Sequence, residues 1–291
     1  MKGPGDSGKK KAPEPTGIPE IDQLATISPC SIQAYVAAVS AYVRNGATLG
    51  PGPKKAAQIR LSNGLARALV DGLVTRMPGL RNRLAAEERN VAGALRTARA
   101  DVSQSHHLDG LRLAVELKPV NLAVGRAIWN RFGDIRTFAV NIHLKFPFAV
   151  VGGVLVVPIY EETGTKAARQ AEREETAAAS GETDELARSE SLTSEAEAQA
   201  ATTGGPAADT THSGRKSTVH LIERAIARLI RAGGRRSEAD APHLLEAIAV
   251  VVYDPDTGDV HPDLPKAQSG LRWDEFLDEL VAAYRSRFLD E

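Results

Sequence analysis

Glu116 and Lys118 stand two residues apart in "LRLAVELKP" (111–119), where Leu111, Leu113, Val115 and Leu117 alternate with Arg112, Ala114, Glu116 and Lys118. Alternation is the period of a strand, so the carboxylate and the ammonium share one face of a half-buried strand that stops at Pro119. Two carboxylates with a lysine beside them can carry metal-assisted phosphodiester hydrolysis. Carboxylate oxygens suit Mg2+, the ion polarises the phosphate and helps generate hydroxide, and a lysine stabilises the developing charge or orients the water. The Glu-x-Lys pair supplies one acid; the fold must bring the second alongside.

Hairpin arithmetic offers Asp101. "ADVSQSHH" precedes the turn signal "LDG", which precedes the Glu116 strand. With Leu108-Asp109 as the turn, Asp101 lies opposite Glu116. With Asp109-Gly110 as the turn, it lies opposite Lys118 and diagonal to Glu116. In both registers it shares their face, and a one-residue shift would reverse this. Asp109 is the alternative acid, seven residues before Glu116. A straight strand would put it roughly 23 Å from Glu116 at about 3.3 Å per residue, and Asp109-Gly110 is the stronger turn signal nearby.

"AD" at 100–101, a spacer over 102–115 and "ELK" at 116–118 resemble the PD-(D/E)xK nuclease superfamily, the fold of many type II restriction endonucleases. Ala100 stands where that family often has Pro. The resemblance covers roughly residues 80–160 and rests on a short, degenerate motif. It implies an α/β restriction-endonuclease-like core, a central mixed sheet flanked by helices. Asp101 and Glu116 would be metal ligands, with the Leu117 backbone carbonyl a further one, and Lys118 the catalytic lysine. Glu88, or Glu87, would be the acid of a preceding helix. Asp109 also has a counterpart spacing in the superfamily, in mismatch-repair nicking endonucleases. The implied cofactor is Mg2+, the substrate double-stranded DNA, and two-strand cleavage implies a homodimer.

The elements that must position these residues follow from the patterns around them. "SIQAYVAAVSAYVRNG" reads as a helix with Ser31 as N-cap. After "GPGP" comes a basic helical stretch, "KKAAQIRLSNGLARALVDGLVTRM", which Gly64 and Gly72 could interrupt. Leu84, Val91 and Leu95 share a helical face, predicting a third helix from about Leu80 to Arg96. Residues 122–132 and 134–145 read as two helices, Asp134 capping the second. "FAVVGGVLVVP" reads as a buried strand. "TVHLIERAIARLIRAGGRR" and "WDEFLDELVAAYRSRF" read as amphipathic helices on either side of the strand in "LLEAIAVVVYDPDTGDV".

Composition divides the chain into a disordered basic tail (1–28), a helical region with the core (29–160), a disordered acidic insert (161–217) and a helix-strand-helix segment that completes the core (218–291). Residues 1–160 hold 21 basic and 11 acidic residues, 161–217 hold 6 and 12, and 218–291 hold 9 and 14. A basic N-terminal half suits an anionic partner such as nucleic acid. Arg126, Asn130 and Arg131 follow the Glu116 strand and are candidate DNA contacts. So are Arg224 and Arg228, which begin an i, i+4, i+7, i+11 stripe ending at Arg235. The single cysteine, Cys30, excludes a disulfide framework and a cysteine-based zinc site. No secretory leader or membrane-length apolar run is present, so a cytoplasmic protein is expected.

Blander readings exist for each motif. Glu116 and Lys118 could be a solvated strand face, Asp101 a cap, His106-His107 a turn-flanking pair, Trp129 a core residue and "DPDTGD" (254–259) a hairpin turn. Two other functions are compatible with the residues: a repair or nicking nuclease of the same fold, and a non-catalytic DNA-binding or scaffold protein.

Overall fold

The computed structural model describes residues 15–120, 124–162 and 214–288. Helices α1 (Pro19–Leu24), α2 (Ile32–Asn45) and α3 (Pro51–Arg76) open the chain. A two-stranded hairpin follows, β1 (Arg89–Val91) and β2 (Ala98–Ala100), then β3 (Val102–His106) and β4 (Gly110–Pro119). The remaining elements are α4 (Val124–His143), β5 (Val150–Pro158), β6 (Tyr160–Glu162), β7 (Arg215–Ser217), α5 (Val219–Ala232), β8 (Ala247–Asp254), β9 (Asp259–Val260) and α6 (Trp273–Phe288).

The protein is α/β. Its five-stranded sheet has the order β3-β4-β5-β8-β9. β3 and β4 run antiparallel, β4, β5 and β8 run parallel, and β9 returns antiparallel. The parallel steps need crossovers, which α4 and α5 supply. Leu113, Val115 and Leu117 of β4 join a core with α1, α2, α3 and α6, whereas Ala114 joins a second core with α4 and α5. The central strands are therefore covered on both faces, which explains the unbroken apolar run of β5.

Several sequence-based expectations are corrected. Residues 80–96 do not form a helix. Ala85 exchanges two backbone hydrogen bonds with Ser103, at 2.8 and 3.2 Å, and the β1–β2 hairpin follows. Long-range backbone pairing overrides the local helical pattern there. The two expected helices at 122–132 and 134–145 are one helix, α4, which continues through Gly133 with Asp134 inside it. α3 likewise runs uninterrupted through Gly64 and Gly72, where a Cβ would collide with Leu24 of α1 and Leu277 of α6. The assigned tail contains α1, whose Ile21 and Leu24 are buried. Residues 215–217 of the assigned insert form β7, paired with β6. Residues 161–162 of the assigned insert belong to β6, and residues 1–14 and 163–213 lie outside the described residues.

Candidate active site

The site is built on the β3–β4 hairpin. Val102, Ser103 and Gln104 pair with Val115, Ala114 and Leu113, and Asp101, just before the first of these pairs, lies within electrostatic reach of Glu116. The chain uses neither two-residue turn that the sequence allowed. The turn holds three residues, His107–Asp109, and a bulge between Gln104 and Ser105 absorbs the extra one. A bulge inserts one residue and re-aims the strand beyond it. Here it restores the register that sets the two acids together. The Asp101 N–H donates to Val115 O at 3.2 Å, and Asp101 Oδ2 accepts the Leu117 N–H at 2.7 Å.

Glu116 is only 8 % exposed, because β4 lies inside the sheet and its polar face meets α4 instead of water. The solvated-face reading of Glu116 is thereby overturned. Lys118 Nζ lies 2.5 Å from Glu116 Oε1. Glu116 Oε2 is buried with no hydrogen-bond partner among the described residues. Burial pushes the Glu116 carboxyl up to about 7, with Lys118 opposing and the Asp101 charge adding to the rise. Asp101 is likewise raised by burial, opposed by the Leu117 N–H and Lys118, with Glu88 adding to the rise. Burial works against the charge of Lys118, yet Glu116, Asp134 and Asp101 together hold its pKa above the ordinary lysine value.

Asp134 is the site residue that sequence reasoning assigned to the wrong role. Gly153 pairs with Glu116 across β4 and β5, and a Cβ on it would lie 2.5 Å from Ile135 Cγ2. The missing side chain lets α4 approach the sheet beside Glu116. Asp134, next to Ile135, is then within electrostatic reach of both Glu116 and Lys118. Its carboxylate also holds Arg131 at 3.1 Å. No local spacing reveals this; it follows only once 124–143 is one helix crossing back over β4.

The other candidates fall as follows. Glu88 lies before β1, not on a helix, is exposed and pairs with Arg99 at 3.4 Å. Its charge still reaches Asp101. Glu87 is exposed beside it. Asp109 sits in the hairpin turn, bonded to the buried Arg112, at the far end of β4 from Glu116. Arg126 and Asn130 are exposed on α4. Arg224 and Arg228 of α5 place their guanidiniums 5.6 and 4.6 Å from the centre of the Trp129 ring, which joins the α4 and α5 surfaces into one basic, aromatic patch. The expected stripe ends early, because Arg235 lies beyond α5 and is buried against Glu246 at 2.9 Å. The 254–259 segment is the β8–β9 turn.

Among the described residues, no group of three or more His, Cys, Asp or Glu side chains could hold a metal on its own. Mg2+ does not require one. It keeps several waters and is bound through one or two carboxylates plus substrate phosphates. The buried Glu116 Oε2, without a partner among the described residues and in a carboxylate that feels the Asp101 charge, fits such an ion, because a buried carboxylate oxygen needs a cation or donor to offset its lost hydration. No helix of the described residues is long and apolar enough to cross a membrane. Comparison with protein-family models, with curated proteins and with solved structures gives no match.

Proposed function

We propose that the protein is a Mg2+-dependent endonuclease of restriction-endonuclease-like fold that cleaves double-stranded DNA as a homodimer. The observation that carries this reading is Glu116. Its carboxylate is buried beside a second acid, salt-bridged to a lysine on the same strand face, and left with one oxygen that has no partner among the described residues. The order of antiparallel hairpin, crossover helix and parallel strand supports the fold assignment.

Asp101, Glu116 and the Leu117 carbonyl would hold the ion, which when bound polarises the scissile phosphate and lowers the pKa of an attacking water. Lys118, kept protonated by three carboxylates, is placed to neutralise charge developing on the phosphate oxygens. The Leu117 N–H fixes the Asp101 carboxylate in orientation. Trp129 with Arg224 and Arg228, and the exposed Arg126 and Asn130, offer phosphate contacts beside this centre.

The test is supercoiled plasmid incubated with purified protein, with and without Mg2+. Linear product is expected from wild type and none from Glu116→Ala, with duplex binding retained. An open circle as the end product would favour a nicking or repair nuclease. Duplex binding without cleavage at any Mg2+ concentration would favour a non-catalytic DNA-binding protein.

A further inference from the structure

The β1–β2 hairpin adjoins the site and is exposed over most of its length. The hairpin and the segment that leads into it, Arg81 to Ala100, hold five arginines, Arg81, Arg83, Arg89, Arg96 and Arg99, against Glu87 and Glu88. All five arginine side chains are exposed. Leu95, at the loop that joins the strands, is 69 % exposed.

This loop is nevertheless tied down. Asn141 of α4, itself 3 % exposed, accepts the Leu95 N–H at 2.8 Å and the Arg96 N–H at 3.2 Å on Oδ1. Its Nδ2 donates to Arg96 O at 2.8 Å, and its backbone oxygen accepts the Ala94 N–H at 3.0 Å. Gly93 leaves room for the clamp, since a Cβ there would lie 2.3 Å from Asn141 Nδ2. Ordering a loop costs about 1–2 kcal/mol per residue. Ala94 to Thr97 gain little core burial in return, because all four side chains face solvent. An exposed leucine alone carries no argument. A leucine and an arginine held rigidly outward, among arginines and with no core to fill, form a surface arranged in advance for a partner.

We infer that the β1–β2 arm docks into a groove of duplex DNA, an inference that rests on the nuclease reading above. The root of the arm is the site itself: Ala100, paired with Arg89, is followed directly by Asp101. A duplex with its scissile phosphate at Asp101 and Glu116 must therefore pass the arm. A two-stranded ribbon fits the major groove. Arg99 and Arg89 would contact phosphates, and Arg96 and Leu95, at the tip, would face base edges, where arginine suits guanine and an apolar group suits the thymine methyl.

The test is binding of a fluorescein-labelled random-sequence duplex by the full chain in Ca2+ instead of Mg2+, across a salt series. Arg89→Ala/Arg99→Ala is expected to weaken binding about tenfold and to lower the slope of log affinity against log salt by about 2, near 0.9 per lost phosphate contact. Leu95→Ala should weaken binding with the slope unchanged, because an apolar contact releases no counterion. Lys266→Ala, beyond the opposite β9 edge, should bind as wild type does. These side chains are exposed, so equal melting temperatures will show intact folds. A double variant with wild-type affinity and slope would overturn the arm while leaving the nuclease reading in place. Wild type that binds no duplex would overturn both. Wild type that prefers an RNA duplex would overturn the assignment to DNA.

Discussion

Glu116 is held where an ionised carboxylate is costly, and this has a sign that can be measured. Burial raises its pKa from an ordinary 4.5 to about 7, so the folded state binds this proton more tightly than the unfolded state. The associated stability is fully present below about pH 4.5 and is lost as pH rises towards 7. The loss is on the order of 3 kcal/mol for the whole shift, and Asp101, also raised, adds to it in the same direction. Urea unfolding across this window should show wild type losing stability, with the fall much reduced in Glu116→Gln. A flat wild-type profile would show that the carboxyl is not desolvated. The two aspartates separate in the same way. Asp101→Asn should abolish plasmid cleavage, because it removes the charge facing Glu116. Asp109→Asn should cleave normally but lose about 1 kcal/mol of stability, because Arg112 keeps only a neutral partner. Cleavage assays across a Mg2+ titration decide between them, and an inactive Asp109→Asn with an active Asp101→Asn would reverse the assignment.

At the scale of elements, the approach of α4 to β4 and β5 shapes the site. Gly153→Ala would drive a methyl into Ile135, with an overpacking cost of about 1–3 kcal/mol, and would push Asp134 away from Lys118. We expect a lower melting temperature and slower cleavage. Gly153→Ala/Ile135→Leu, which removes the branched methyl, should recover part of both. Full activity and stability in Gly153→Ala would show that the spacing of helix and sheet does not matter to the site.

At the scale of the molecule, one buried carboxylate joins four segments. Glu246, at the entry to β8, meets Arg235 at 2.9 Å, Arg287 of α6 at 2.7 Å, His143 of α4 at 3.2 Å and the Val151 N–H of β5 at 2.8 Å. Burial opposes its charge, but His143, Arg287 and the Val151 N–H hold its pKa below the ordinary value, so its stabilisation is lost only under more acidic conditions than the Glu116 window. Glu246→Ala leaves buried arginines without their counter-charge and should destabilise the fold by about 3–5 kcal/mol, read by thermal or urea unfolding. A loss below about 1 kcal/mol would mean that the arginines find water or other partners on their own.

The sequence by itself determined the elements whose own patterns are strong. Ser31 caps α2 with the Ala34 N–H, Gly233 follows α5, and the apolar run of 148–158 marks β5. It also placed Glu116 and Lys118 on one strand face by period alone, whereas Asp101 joins them only because the bulge between Gln104 and Ser105 offsets the three-residue turn. Where the local signal was weaker than a distant backbone partner, the reading failed. Residues 80–96 carry a helical apolar spacing, but Ser103 and Asn141 take their backbone groups. Only the tertiary structure decided that the polar face of β4 is buried, that Asp134 approaches Lys118, and that Arg235 and Glu246 form a core pair instead of a wet stripe. Burial depends on what packs above a residue. Here the covering helix is brought in by Gly153 and a crossover, and neither is visible in the spacing of the residues it covers.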